Sequence, residues 1–261
     1  LGAGGDYNGS SNTQVAWCWK AGTSVSGTTT GSGTSKSYSG SVNTDSGVSI
    51  ISYTGNGTDG HTIPHHLGVI PKMVIAKVTV GNTNNWGVYH HTLGTNKTLY
   101  LDLTMAAETS SFINDTTPTS SVVSLSSNIS NQDGKTFIMY SFAEKQGYSK
   151  FGSYTGNGNV SGPMIWTGFK PAWVMIKRTD STNNWGIMDN KRSTFNEVGD
   201  QLMANTSDAE DNPTSGRDFL SNGFKLRETG NAINGSGASY IYMAFAENPF
   251  VTSTGVPACA R

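Results

Sequence analysis

Charge is scarce in this chain: Asp, Glu, Lys and Arg make up 13% of its 261 residues and nearly cancel, leaving a formal charge of −1. Without clustered Lys and Arg there is no electrostatic footprint for nucleic acid or for an anionic membrane surface. Cysteine is nearly missing as well. Cys18 and Cys259 lie near opposite ends, which excludes a disulfide framework and leaves either one bridge across a long loop or two unrelated thiols. No apolar run approaches a membrane span, and Leu1 opens the chain with neither a basic nor an apolar leader region, so it reads as a mature or truncated piece. Also lacking are the Gly-x-Ser-x-Gly elbow, a Gly-rich phosphate loop ending in Lys-Ser/Thr, Cys-x-x-Cys and His-Glu-x-x-His. The sequence therefore implies no cofactor.

What is present points to strands. Glycine supplies 32 positions, and the apolar residues fall in short runs rich in Val, Ile, Phe, Tyr and Trp, bounded by Gly, Asn, Asp and Ser. Helix is expected only for a turn or two, at Met105–Glu108 and Ser207–Asp211.

One hexapeptide, SYTGNG, occurs twice, at 52–57 and at 153–158. Other matches follow in order: Gly68 with Gly168, Pro71 with Pro171, Trp86 with Trp185, and Phe142 with Phe245, a period of about a hundred residues. Glu144 and Glu247 end the matching closing runs, Thr136–Glu144 and Ser239–Glu247. The sequence thus predicts an all-β protein of two tandem antiparallel β-sandwich repeats of about 100 residues. Gln14–Lys20 has the cadence of a closing strand and is expected to be the last strand of an earlier unit. The boundaries are 1–46 for that strand and a Gly/Ser/Thr-rich linker, 47–147 for the first repeat, and 148–261 for the second with its tail. Within the linker, Tyr38, Gly40 and Val42 alternate with polar residues as an edge strand does.

Further detail follows from the patterns. Lys72–Val78 is apolar on both faces and is expected as a central strand behind Pro71, as is its counterpart behind Pro171. Ser221-Asn-Gly223 marks a hairpin. Tyr53, Gly55 and Gly57, with Tyr154, Gly156 and Gly158, are read as structural turn residues, since Gly and Asn tolerate positive φ.

Candidates for chemistry are few. Trp86 and Trp185, beside Asn85 and Asn184, are the best ligand-binding candidates, because exposed rings beside amides stack on sugars; the alternative is packing at a sandwich edge. All five histidines lie in the first repeat, among them the pairs His65-His66 and His90-His91. Imidazole is a metal ligand, but adjacent histidines on a strand point to opposite faces, and surface or turn roles are the expectation. Glu144 and Glu247 are read as partners of Lys77 and Lys177 in cross-strand ion pairs rather than as a glycosidase pair.

The order SYTGNG, Gly-x-x-Pro, Asn-Trp-Gly and closing Phe-Ala-Glu, with Val15–Gly22, Glu144–Gly152 and Ala246–Phe250, resembles the tandem β-sandwich repeats of bacteriophage virion proteins, notably tail-fibre and particle-surface proteins of marine phages. That resemblance implies a non-enzymatic component located on the virion, a tail fibre, a baseplate-proximal component or a capsid decoration protein, serving assembly or host attachment. It implies other virion proteins as partners, a homo-oligomer with a trimer favoured, and a host surface glycan as a further ligand; nucleic acid and membrane are not implied. A carbohydrate-binding adhesin and a polysaccharide-degrading tail enzyme are the alternative expectations.

Overall fold

The computed structural model describes residues 13–20, 22–81, 83–211 and 216–247. Every regular element among them is a strand. In chain order these are β1 (Thr23–Thr28), β2 (Thr30–Gly31), β3 (Ser37–Asn43), β4 (Val48–Thr54), β5 (His61–Pro64), β6 (Met73–Val80) and β7 (Gly87–His90). There follow β8 (Lys97–Tyr100), β9 (Glu108–Thr109), β10 (Val122–Leu125), β11 (Thr136–Phe142), β12 (Ser149–Thr155) and β13 (Met164–Trp166). The last are β14 (Trp173–Arg178), β15 (Trp185–Asp189), β16 (Gln201–Met203), β17 (Arg217–Leu220), β18 (Gly223–Leu226) and β19 (Ser239–Phe245).

All pairing is antiparallel and forms four sheets: β1-β3-β4-β11-β6-β7-β8-β9, β10-β5-β2, β12-β19-β14-β15-β16 and β13-β18-β17. The run β4-β11-β6-β7-β8 and the run β12-β19-β14-β15-β16 have the same order of sequence-matched strands. The sheets stack as four layers with three apolar cores, and β6 shows why. Val74, Ala76 and Val78 enter a core shared with Ile63, Val123 and Leu125 of one small sheet. Met73 and Ile75, on the opposite face, enter a second core with Met175, Ile187 and Met243 of the five-stranded sheet. Val174 and Ile176 of β14 then turn outward to Phe219, Phe224 and Leu226 of the other small sheet. Strands covered on both faces lose the hydrophobic–polar alternation, which is the pattern expected at Lys72–Val78. The two halves therefore share a core across a seam between the large sheets, and the chain crosses from one to the other at 143–148.

The duplicated hexapeptide forms the turn after β4 and after β12. A side chain on Gly55 would meet the Gln132 carbonyl oxygen at 2.2 Å, and one on Gly156 would meet that of Gly235 at 2.3 Å. Gly57 and Gly158 have φ of 72° and 64°, which disfavours any residue with a Cβ.

Several expectations are corrected. The stretch read as a linker contributes β1, β2 and β3; β3 lies inside the sheet with Tyr38 and Val42 buried, because β1 covers its outer edge. Gln14–Lys20 pairs with no strand. Trp17 and Trp19 instead lie against the seam, and with half-buried Val15 they alternate with exposed neighbours. Residues 105–108 and 207–211 contain no helix; the first runs into β9, and neither carries a helical apolar stripe long enough to be stabilised by packing. The hairpin at Ser221-Asn-Gly223 joins β17 to β18 as expected. Cys259 lies outside the described residues, and with it any pairing to Cys18.

Candidate functional site

The seam is where most of the singled-out side chains meet. At its β8 end Trp185 is 1% exposed and donates its indole N–H to the Tyr100 carbonyl at 2.8 Å. Lys177, also buried, donates to the carbonyls of Thr104 at 3.2 Å and Arg178 at 2.7 Å. Burial pushes the Lys177 ammonium down to about 8. Backbone bonds from Asn183 to Thr104 and from Ala107 to Thr179 complete this join.

Histidines make the same join at the other end of β7. His90 is fully buried; its Nε2 reaches the Tyr242 carbonyl of β19 at 3.3 Å and its Nδ1 lies 2.9 Å from Thr92 Oγ1. A carbonyl accepts only, so Nε2 carries the proton, and Nδ1 accepts the Thr92 backbone N–H at 3.4 Å, which leaves the ring neutral. Burial, helped by neighbouring His91, lowers His90 to about 3. His91 Nε2 donates to the Phe151 carbonyl of β12 at 3.2 Å. These two histidines, present in the first half alone, fasten it to the second.

Their counterparts in the second half are Asp189 and Asn190, and Asp189 fastens something else. It accepts the Trp17 indole N–H at 3.0 Å and the Arg192 Nε–H at 2.7 Å. Burial raises its carboxyl, but these bonds and the backbone N–H of Lys191 and Arg192 outweigh that and hold it below the usual range. Trp19 then packs edge-on against Phe142, Trp173 and Phe245, with centroids 6.4, 5.5 and 5.4 Å away.

The remaining candidates disperse. His65 is buried, with Nε2 donating to the Thr119 carbonyl at 3.1 Å and Nδ1 accepting from Leu67 N–H at 3.2 Å. His66 sits at φ 56° with Nε2 2.8 Å from the Tyr38 hydroxyl. The expectation that this pair alternates along a strand is corrected, since β5 ends at Pro64. Among the described residues no three His, Cys, Asp or Glu side chains converge on a metal position.

The ion pairs are corrected too. Register places Lys77 opposite Ile138 and Phe142 opposite Met73, so Glu144 lies at the far end of β6 from Lys77. The second half repeats this, with Lys177 opposite Ile241 and Phe245 opposite Trp173. Glu144 pairs instead with Lys150 at 2.6 Å, and Glu247 with Lys191.

Of the two tryptophans proposed for binding, Trp185 is ruled out as an exposed platform by its burial, and Asn184 Oδ1 is occupied by Asn205 Nδ2 at 2.8 Å. Asn85 is exposed, and Trp86 is half-buried, stacked on Tyr140 at 6.3 Å. Trp86 borders a cleft of about 320 Å³ opening on the seam, whose wall also holds Trp17, Trp19, Tyr140 and Trp173. Elsewhere along the seam lies a polar cleft of about 640 Å³ that includes Lys97, Thr155 and Asp180.

Sequence reasoning missed the buried pair Asn131 and Asn234. Asn131 Oδ1 accepts from Asn56 N–H at 3.0 Å, and its Nδ2 donates to Asn56 Oδ1 at 2.7 Å and to the Thr58 carbonyl at 2.8 Å. Asn234 accepts from Asn157 N–H at 2.9 Å and donates to Asn157 Oδ1 at 3.1 Å and the Asn159 carbonyl at 2.9 Å. The signal was available as Asn-x-x-Asn-x-x-Gly at 128–134 and at 231–237.

The fold thus defines a multilayer antiparallel β protein whose polar and aromatic landmarks join its layers. The chain belongs to a family described as a domain of unknown function (DUF7483), whose model matches residues 2–249. It matches no curated protein and no solved structure. Among the described residues no helix is long and apolar enough to cross a membrane.

Proposed function

We propose that this protein is a structural, non-enzymatic component of a bacteriophage particle, a tail fibre or surface-decoration protein acting in assembly or host attachment. The observation that carries the reading is the use of its chemically capable side chains. His90, His91, Lys177 and Trp185 donate to backbone carbonyls across the seam or beside it, and Glu144 and Glu247 form surface ion pairs. A side chain held this way cements layers, which suits a particle component that must stay folded outside a cell. The resemblance of its repeated motifs to virion proteins supports the same reading. The matched strand orders and paired hexapeptide turns support an origin by tandem duplication. Particle β proteins assemble as symmetric oligomers, and a homotrimer is the proposed state.

The test is mass spectrometry of purified phage particles, with antibody labelling in electron micrographs. Peptides of this chain at stoichiometric level and label on the particle surface are expected; particles without the chain would sink the proposal. Native mass spectrometry reads the oligomer.

A further inference from the structure

Exposed large apolar side chains are few among the described residues, and three of the eight crowd into 160–166: Val160 at 64%, Met164 at 39% and Trp166 at 63%. The last two belong to β13, an outer strand of its three-stranded sheet. Ile165, between them, enters the core, so Met164 and Trp166 stand on the opposite face. The backbone alternates as well. Thr167 N–H donates to the Asn222 carbonyl at 3.0 Å and Leu226 N–H to the Pro163 carbonyl at 3.2 Å, so 163, 165 and 167 face β18. The N–H and C=O groups of Met164 and Trp166 therefore point to the outer edge, where no described strand pairs with them.

The first half shows the same edge closed. Ile63 lies opposite Val123 as Ile165 lies opposite Phe224, each two residues before the leucine that ends its strand, so Thr62 and Pro64 are the counterparts of Met164 and Trp166. There β2 pairs Thr30 with Thr62, and Pro64 has no N–H to offer. Proline, charge and a covering strand keep sheet edges from pairing. The outer positions of β13 have none of these, and residues 157–169 carry no charge. Lys225, opposite Met164 on β18, is turned back to the Gly162 carbonyl at 2.8 Å.

We propose that β13 is a self-association edge, pairing antiparallel with β13 of a second copy about a two-fold axis at Ile165. The edge is self-complementary in register. Met164 of each copy falls opposite Trp166 of the other, both point outward, and N–H···O=C bonds form at both positions. The same pairing sets each Met164 thioether beside an indole, a favourable contact, and joins the three-stranded sheets of the two copies. An unrelated extended peptide would find the backbone groups but not this match of side chains. A strand of three residues makes a weak contact. It pairs copies, so it is separate from the threefold association proposed above and does not rest on the particle role.

Sedimentation velocity over a concentration series tests this. The natural chain is expected to double its mass reversibly, from monomer to dimer or, where the threefold contact also forms, from trimer to hexamer. Trp166→Pro copies the residue that the first half carries at this position and removes one N–H from each copy. Trp166→Lys sets two ammonium groups about the axis. Each should weaken doubling by about tenfold or more. Phe195→Ser removes a ring that is 84% exposed beside the other edge of the sheet, where Asn196 bonds to Phe219, and should leave doubling unchanged. Amide exchange at 164 and 166 should slow as concentration rises. The proposal is overturned if the natural chain does not double, if Trp166→Lys doubles as well as the parent, or if Phe195→Ser weakens doubling equally. Slow exchange at 164 and 166 in the dilute monomer also overturns it, because another segment of the chain then holds the edge. If Trp166→Pro does not fold, Trp166→Lys decides. Trimers that never double remove this contact alone, whereas dimers without trimers remove only the threefold state.

Discussion

The indole N–H of Trp185 donates to the Tyr100 carbonyl at 2.8 Å, so a side chain at the start of β15 ties its sheet to the end of β8 in the neighbouring one. The ring is also among the largest fully buried side chains. Trp185→Phe should cost about 0.5–1.5 kcal/mol, the loss of one of the two hydrogen bonds that the Tyr100 carbonyl accepts, the other coming from Leu103 N–H at 3.2 Å. Trp185→Ala should cost about 3–5 kcal/mol by adding a cavity. Urea unfolding of the two variants checks the order. A Trp185→Ala cost below 1 kcal/mol would show that the seam contributes little to the folded state.

Stability should fall in acid because His90 is held neutral. Its value is about 3 in the folded protein against an ordinary 6.5, so between those limits the unfolded chain binds more protons and ΔG of unfolding drops as pH falls. The neutral ring's contribution is complete above about pH 6.5 and is lost as pH falls toward 3. His61, His65 and His91 are lowered as well, each chiefly by burial, and act in the same direction. Urea midpoints at a series of pH values should decline from pH 7 downward, and His90→Gln should flatten the slope. An unchanged slope in that variant contradicts the assignment.

Asn131 and Asn234 provide a paired test. Each is fully buried and makes three or more hydrogen bonds to the turn after β4 or β12. Replacing either with Ala removes at least three hydrogen bonds to that turn, for a cost of about 2–4 kcal/mol. The double variant should show the sum of the two costs, since the residues share no partner. Thermal melts of the three variants read this; a single variant that melts like the parent removes the claim that these amides hold the turns.

What was legible in the sequence was local. The Lys72–Val78 run declared a strand covered on both faces, the SYTGNG turns and the Ser221-Asn-Gly223 hairpin appeared where their chemistry put them, and the alternation at Tyr38–Val42 marked a strand, though one inside the sheet rather than at its edge. The errors came from relations between distant segments. Lys77 and Glu144 were paired by position at strand ends, but antiparallel register sends those ends apart. The Asn and Gly neighbours of Trp185 allow either an exposed ring or packing at a sandwich edge, whereas its burial comes from the facing sheet. Nothing local states that two sheets will dock, so the histidines at 90–91, expected in surface or turn roles, are instead fasteners, His90 fully buried within β7.

Trp19 closes the seam and its removal should be visible without loss of fold. It is half-buried and touches Phe142 of one large sheet and both Trp173 and Phe245 of the other. Edge-to-face pairs contribute about 0.5–1.5 kcal/mol each beyond area burial. Gln14–Lys20 makes no strand pairing, and these contacts act with the Trp17–Asp189 bond, the Arg192 guanidinium over the Trp17 ring and the Asn43 Nδ2 bond to the Lys20 carbonyl to hold the segment in place. Trp19→Ala should therefore lower stability by about 2–4 kcal/mol, with far-UV circular dichroism unchanged because no sheet loses a strand. Amide hydrogen exchange should rise in residues 14–20 and along β11 and β19 where they face the seam, and stay at parent levels in the two small sheets. Exchange that rises evenly through all four sheets would mean that Trp19 supports the whole stack rather than closing one side of its central layer.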